Sequence, residues 1–89
     1  MIEKKATIIN KLGLHARAAA KFVKIANRFE SSVKIEKDGV VVDGKSILGI
    51  LTLAAVQGTN IKLSVSGMDE KASLKALASL IENKFDEEE

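Results

Sequence analysis

The sequence predicts an α+β open-faced sandwich, a four-stranded antiparallel sheet with three helices on one face, in the order β-α-β-β-α-β-α. Two stretches, 32–37 and 61–66, alternate apolar with polar residues, as half-buried strands do. Three others place apolar residues at helical spacing. Alternation leaves one sheet face polar, so all three helices must cover the other. At 89 residues, 46% apolar and 29% charged, the chain is expected to form one domain over 1–89. That composition excludes a disordered chain.

Residues 2–9 read as the first strand, with Ile2, Ala6 and Ile8 apolar against Glu3, Lys5 and Thr7. Positions 10–13 form a loop. From Ala16 to Phe29 the pattern is helical, with Phe22, Val23, Ala26 and Phe29 on one face and Arg17, Lys21, Lys24 and Arg28 on another. Val33 and Ile35 point inward from the second strand. Asp38-Gly39 signals a hairpin turn, and 40–42 is the return strand. A short, unusually apolar helix covers 47–55 and ends at Gln57-Gly58-Thr59. Ile61, Leu63 and Val65 mark the fourth strand. Asp69 is expected to cap a last helix with an inward stripe of Leu74, Leu77, Ala78, Ile81 and Phe85. The acidic tail 86–89 follows a helix C-terminus, where negative charge is unfavourable. It is expected to fray and carry no role.

Several functions drop out on composition alone. There is no Cys and one His, so neither a disulfide framework nor a zinc site is expected, and no cofactor is implied. No apolar run approaches the roughly 18 residues of a membrane helix. The start, 1–5, lacks an apolar signal core, so the chain is expected to stay in the cytoplasm, without membrane insertion. The net charge of +2 is unevenly spread. Residues 1–28 hold seven basic side chains and one acidic, 29–85 hold seven of each, and the tail holds four acidic. Such asymmetry favours an anionic partner.

Residues 39–46 satisfy the P-loop pattern, Gly39-Val-Val-Val-Asp-Gly44-Lys45-Ser46. A phosphate cradle needs a flexible glycine-rich loop after a strand. Here the middle residues are valines that read as the strand itself, so the match is accidental.

His15 is the chemically informative residue. A lone histidine near a helix start is ordinarily just a polar neighbour. Here, however, the first-turn amides of Ala16, Arg17 and Ala18 have no intrahelical acceptor and attract an anion. Alanines at 16 and 18–20 leave the approach open, and Arg17 supplies a guanidinium suited to phosphate. A neutral imidazole is nucleophilic near pH 7. Together these point to a phosphohistidine.

Gly13-Leu14-His15-Ala16-Arg17 resembles the active-site signature of the HPr family, the histidine-containing phosphocarriers of the bacterial phosphoenolpyruvate:sugar phosphotransferase system. The second segment, Gly44-Lys45-Ser46-Ile47-Leu48-Gly49, is similar to that family's second signature, and the resemblance spans the chain. It implies that His15 accepts a phosphoryl group from enzyme I and passes it to a sugar-specific enzyme IIA, with Arg17 steadying it. It implies that Ser46, an ordinary N-cap by position, is also the regulatory serine of an HPr kinase/phosphorylase. Docking would use Ala20, Lys21 and Lys24 with an exposed apolar patch of Ile47, Leu48 and Leu51. The chain is expected to be a monomer and a carrier rather than a complete enzyme. One departure stands out, Ala18 where the family usually has Pro.

Two alternatives remain. The nitrogen-related regulatory branch of the same family would use the same histidine chemistry. A small nucleic-acid-binding module would use the basic helix stripe. Without Trp or Tyr, the chain has little with which to stack bases, so nucleic acid is not the expected partner.

Overall fold

The computed structural model describes residues 1–88. Its strands are β1 (Ile2–Thr7), β2 (Ser32–Lys37), β3 (Val40–Asp43) and β4 (Asn60–Ser66), and its helices α1 (Ala16–Ala26), α2 (Ile47–Thr52) and α3 (Glu70–Glu82). The sheet order is β1-β4-β2-β3 and every pairing is antiparallel. The open-faced sandwich expected from the sequence is therefore the observed architecture.

Register explains why one face is buried. Val33 lies opposite Val65 and Ile35 opposite Leu63, so inward side chains of β2 and β4 meet across the central pair. All four are fully buried against Phe22, Ile50, Leu77, Ile81 and Phe85. Fully burying each such aliphatic side chain contributes about 1.5–3 kcal/mol. The hairpin turn at Asp38-Gly39 has positive φ at both residues, 50° and 83°, the type I′ geometry that matches strand twist.

The P-loop match fails here on geometry. Residues 40–43 are paired with β2, and the Lys45 ammonium donates to the Phe29 carbonyl at 2.9 Å, closing the turn after α1.

Several element boundaries differ from the sequence reading, and Phe85, read as part of the stripe of the last helix, lies beyond α3, which ends at Glu82. α1 ends at Ala26 rather than Phe29, because the amides of Arg28 and Phe29 bond three residues back and tighten the last turn. α2 stops at Thr52, and β1 stops at Thr7.

Asp69 precedes α3, but its side chain caps nothing. Its carboxylate accepts instead from the amides of Glu30 (2.9 Å) and Ser31 (3.0 Å) and from the Ser31 hydroxyl, tying α3 to the turn before β2. The Ser31 hydroxyl, then the Glu30 amide, hold the Asp69 carboxyl below its ordinary 3.8, against an opposing desolvation. A depressed folded pKa gives stability that is present above the unfolded value and lost as pH falls through the folded one. Asp69→Asn should therefore lower the melting temperature at pH 7. The two proteins should converge well below pH 3.8. An equal gap at both pH values would contradict this role.

The tail departs furthest from expectation. After α3 the chain makes a turn at Lys84–Asp86 with φ of 57°, 55° and 62°, left-handed at three successive non-glycine residues. Such backbone costs roughly 1–2 kcal/mol per residue. It is held by Phe85, fully buried in the core, and by the Lys21 ammonium, which donates to the Phe85 carbonyl at 2.8 Å. The chain after this turn is thereby directed back to the start of α1, where the Glu87 carboxylate meets Asn10 and His15. Glu89 lies outside the described residues.

Candidate functional site

The loop 10–15 presents His15, and glycine is required within it. Gly13 has φ of +68°, and a Cβ there would run into the Ala55 carbonyl oxygen and come within 2.9 Å of Val56 Cα. That close approach lets the Leu14 amide donate to the Ala55 carbonyl at 2.8 Å, fastening the loop beside the exit of α2. Asn10 braces it from beneath. Fully buried, Asn10 donates through Nδ2 to the Gly13 carbonyl (2.8 Å) and to Glu87 Oε1 (2.9 Å).

His15 is the N-cap of α1, and its carbonyl accepts the Ala19 amide at 2.9 Å. Its side chain makes no cap hydrogen bond, so it does not occupy the first-turn amides. Of the residues expected to supply those amides, Ala16 and Arg17 are exposed, while the Ala18 side chain is fully buried against the core. The site thus offers an imidazole, a helix start and an exposed guanidinium within three residues. An anion is favoured there by the helix dipole and the unbonded N–H groups together.

An acidic side chain also reaches the ring. His15 Nε2 contacts Glu87 Oε2, with the two side chains 27% and 12% exposed. Desolvation, the largest single influence on the Glu87 carboxyl, pushes its pKa up. The hydrogen bonds from Asn10 and His15, with the charges of His15 and Lys21, outweigh it and hold the group below its ordinary 4.5. Lys11, Arg17 and Lys21 line a hollow together with Asp86, Glu87 and Glu88.

Neither Asn10 nor Glu87 stands out in the sequence. One looks like a loop asparagine, and the other lies in a tail 72 residues from its partner.

The residues expected to dock partners are not equivalent. Ala20 and Lys24 are exposed on α1. Lys21 is not a free rim charge, since its ammonium is committed to the Phe85 carbonyl. On α2, Leu48 is 78% exposed and Ile47 39%, but Leu51 is partly buried against the core, contrary to its expected place in an exposed patch. A short helix that is apolar all round gives no sequence signal for which side faces the sheet. Leu12 and Val56, each 66% exposed, are apolar surface the sequence reading did not single out.

Ser46 is the N-cap of α2, its hydroxyl accepting the Gly49 amide at 3.0 Å. α2 has six residues, so Ser46 stands about 9 Å along the axis from the helix exit beside which the His15 loop is fastened. Among the described residues no cluster of His, Asp and Glu could hold a metal ion, and no helix is long and apolar enough to cross a membrane.

The family model for the phosphorylation site of the PTS HPr component matches residues 2–83. The phosphocarrier protein HPr of Cupriavidus necator is 48% identical over 89 residues, covering all of both chains. That of Pseudomonas aeruginosa is 54% identical over 84 residues, 93% of each. Among solved structures, HPr from Thermoanaerobacter tengcongensis superposes with a TM-score of 0.96 at 50% identity, with both chains fully covered.

Proposed function

The chain belongs to the HPr family of phosphotransferase-system phosphocarriers, and from that premise we propose that His15 accepts a phosphoryl group from phosphoenolpyruvate-charged enzyme I and passes it to a sugar-specific enzyme IIA. The protein is a carrier rather than an enzyme, as its relatives are. The observation that carries the reading is His15 at the start of α1, half-buried, beside first-turn amides that its own side chain leaves open. Transfer makes the ring the nucleophile, and the amides of Ala16, Arg17 and Ala18 with the Arg17 guanidinium would hold the anionic group it receives. The reaction belongs to the cytoplasm, where the chain would act as a monomer with its core closed within one copy.

The test is passage of label. Enzyme I with labelled phosphoenolpyruvate should charge the protein, and a sugar-specific enzyme IIA added afterwards should discharge it. Charging followed by discharge only to a nitrogen-related acceptor would move the protein to that regulatory branch. Failure to charge at all would overturn the reading.

Docking would combine the exposed Leu48 and Ile47 with Ala20 and the charges of Arg17 and Lys24, and Leu51 and Lys21 would contribute from beneath. Rim charges chiefly accelerate encounter and are screened by salt, whereas a central apolar contact chiefly slows dissociation. Lys24→Glu should slow charging by enzyme I in a salt-sensitive way. Leu48→Ala should weaken it by about 1–2 kcal/mol with the salt dependence unchanged. Kinetics at two ionic strengths separate the two, and matching salt responses would refute this division of labour.

Ser46 already caps α2, and an HPr kinase/phosphorylase would add close to two negative charges at that cap. Ser46→Ala should cost about 0.5–2 kcal/mol of stability through the lost cap. Ser46→Asp keeps an acceptor for the Gly49 amide and should remain stable, yet accept more slowly from enzyme I. Equal acceptance by the Asp and Ala variants would exclude regulation at this position.

A further inference from the structure

The tail holds the only carboxylate that touches His15 among the described residues. Three features show that it is built in rather than draped there. The chain adopts three consecutive left-handed residues, at 84–86, to bring Glu87 to the ring. It buries Phe85 completely and ties its carbonyl to Lys21, two residues before Glu87. It then fixes the other oxygen of the same carboxylate on the buried Asn10. Unfavourable backbone held by surrounding structure next to a reactive group points to function at that group. The sites of contact on the ring are specific too. Glu87 meets Nε2, and Nδ1 has no hydrogen-bond partner among the described residues.

We propose that Glu87 is the positioning residue of His15. It accepts the Nε2 proton, leaves Nδ1 as the nucleophilic nitrogen, and balances the positive charge the ring acquires as it takes up the phosphoryl group. This inference rests on the phosphocarrier reading. In the step, the Nδ1 lone pair forms a bond to phosphorus while the bond from phosphorus to the donor protein breaks, its electron pair leaving with the donor. The Nε2 proton stays on the ring throughout. The neutral imidazole therefore becomes a phosphorylated imidazolium, and the carboxylate across Nε2 stabilises that cation. A base oriented by a third group through its far nitrogen is the same physical arrangement as in a nucleophile–base–acid triad. Arg17, exposed two residues along α1, is the guanidinium that would meet the phosphoryl oxygens.

Glu87→Gln keeps an oxygen acceptor and removes the charge, whereas Glu87→Ala removes both. With saturating phosphorylated enzyme I, turnover should fall about tenfold in the Gln variant and further in the Ala variant. KM should stay within about twofold, because the carboxylate acts on the ring rather than on docking. The phosphoryl equilibrium between enzyme I and the protein should shift toward enzyme I by a comparable factor, a change that a purely structural role for the tail would not produce. Unchanged turnover and equilibrium would overturn the inference while leaving the carrier function intact. Faster charging of either variant would also overturn it, since Glu87 would then be blocking the ring. If the unaltered protein takes no phosphoryl group, both readings fall together.

Discussion

Replacing His15 with Ala is expected to reduce phosphoryl uptake from enzyme I to below about one thousandth, the scale of loss when a nucleophile is deleted from a group that acts as a unit. It is the only histidine in the chain, so no second imidazole can substitute. The fold should survive, because the His15 side chain contributes no cap hydrogen bond and only partial burial. Stability should change by no more than about 1 kcal/mol, which the far-UV spectrum and a denaturation curve would check. An acid-labile phosphoryl group persisting in this variant would place the chemistry elsewhere.

The second large effect is expected at Phe85. Truncating a fully buried Phe ordinarily costs about 3–5 kcal/mol. Phe85→Ala should fall near the lower end, because the tail can detach and leave the sheet and its three helices paired. The consequence is local as well as global. With its anchor gone, the left-handed turn loses what offsets its backbone cost, and Glu87 leaves His15. Hydrogen exchange should show the amides of 86–88 becoming as fast as free peptide, with β4 still protected. Loss of protection throughout would mean that Phe85 holds the whole core together.

These expectations show which parts of the molecule can be read from its residues. The sheet is legible because alternation in β2 and β4 puts Val33, Ile35, Leu63 and Val65 on one face, and a one-residue slip would turn a whole strand's set outward. His15, Arg17 and the open first turn of α1 are legible because they are neighbours in sequence. What fails to show is long-range or non-helical. The acidic tail reads as repelled by the end of α3, and that would hold if it stayed there. The turn at 84–86 carries it instead to the start of α1, where the dipole has the opposite sign and carboxylates are favoured. No propensity scale anticipates three left-handed non-glycine residues, since tertiary anchoring at Phe85 and Lys21 makes them tolerable. Asp69 is a similar case. A residue suited to capping its own helix finds better donors in Glu30 and Ser31, distant in the chain. Leu51 could not be told from Leu48 by hydropathy, and only the orientation of α2 on the sheet separates them.

The central claim is that this protein carries a phosphoryl group on His15, and intact mass tests it most directly. After incubation with enzyme I and phosphoenolpyruvate, the account predicts a gain of one phosphoryl group. Brief acid treatment should remove it, whereas mild alkali should leave it in place, as for a nitrogen–phosphorus bond. An unchanged mass, or an added group that resists acid, would contradict the account.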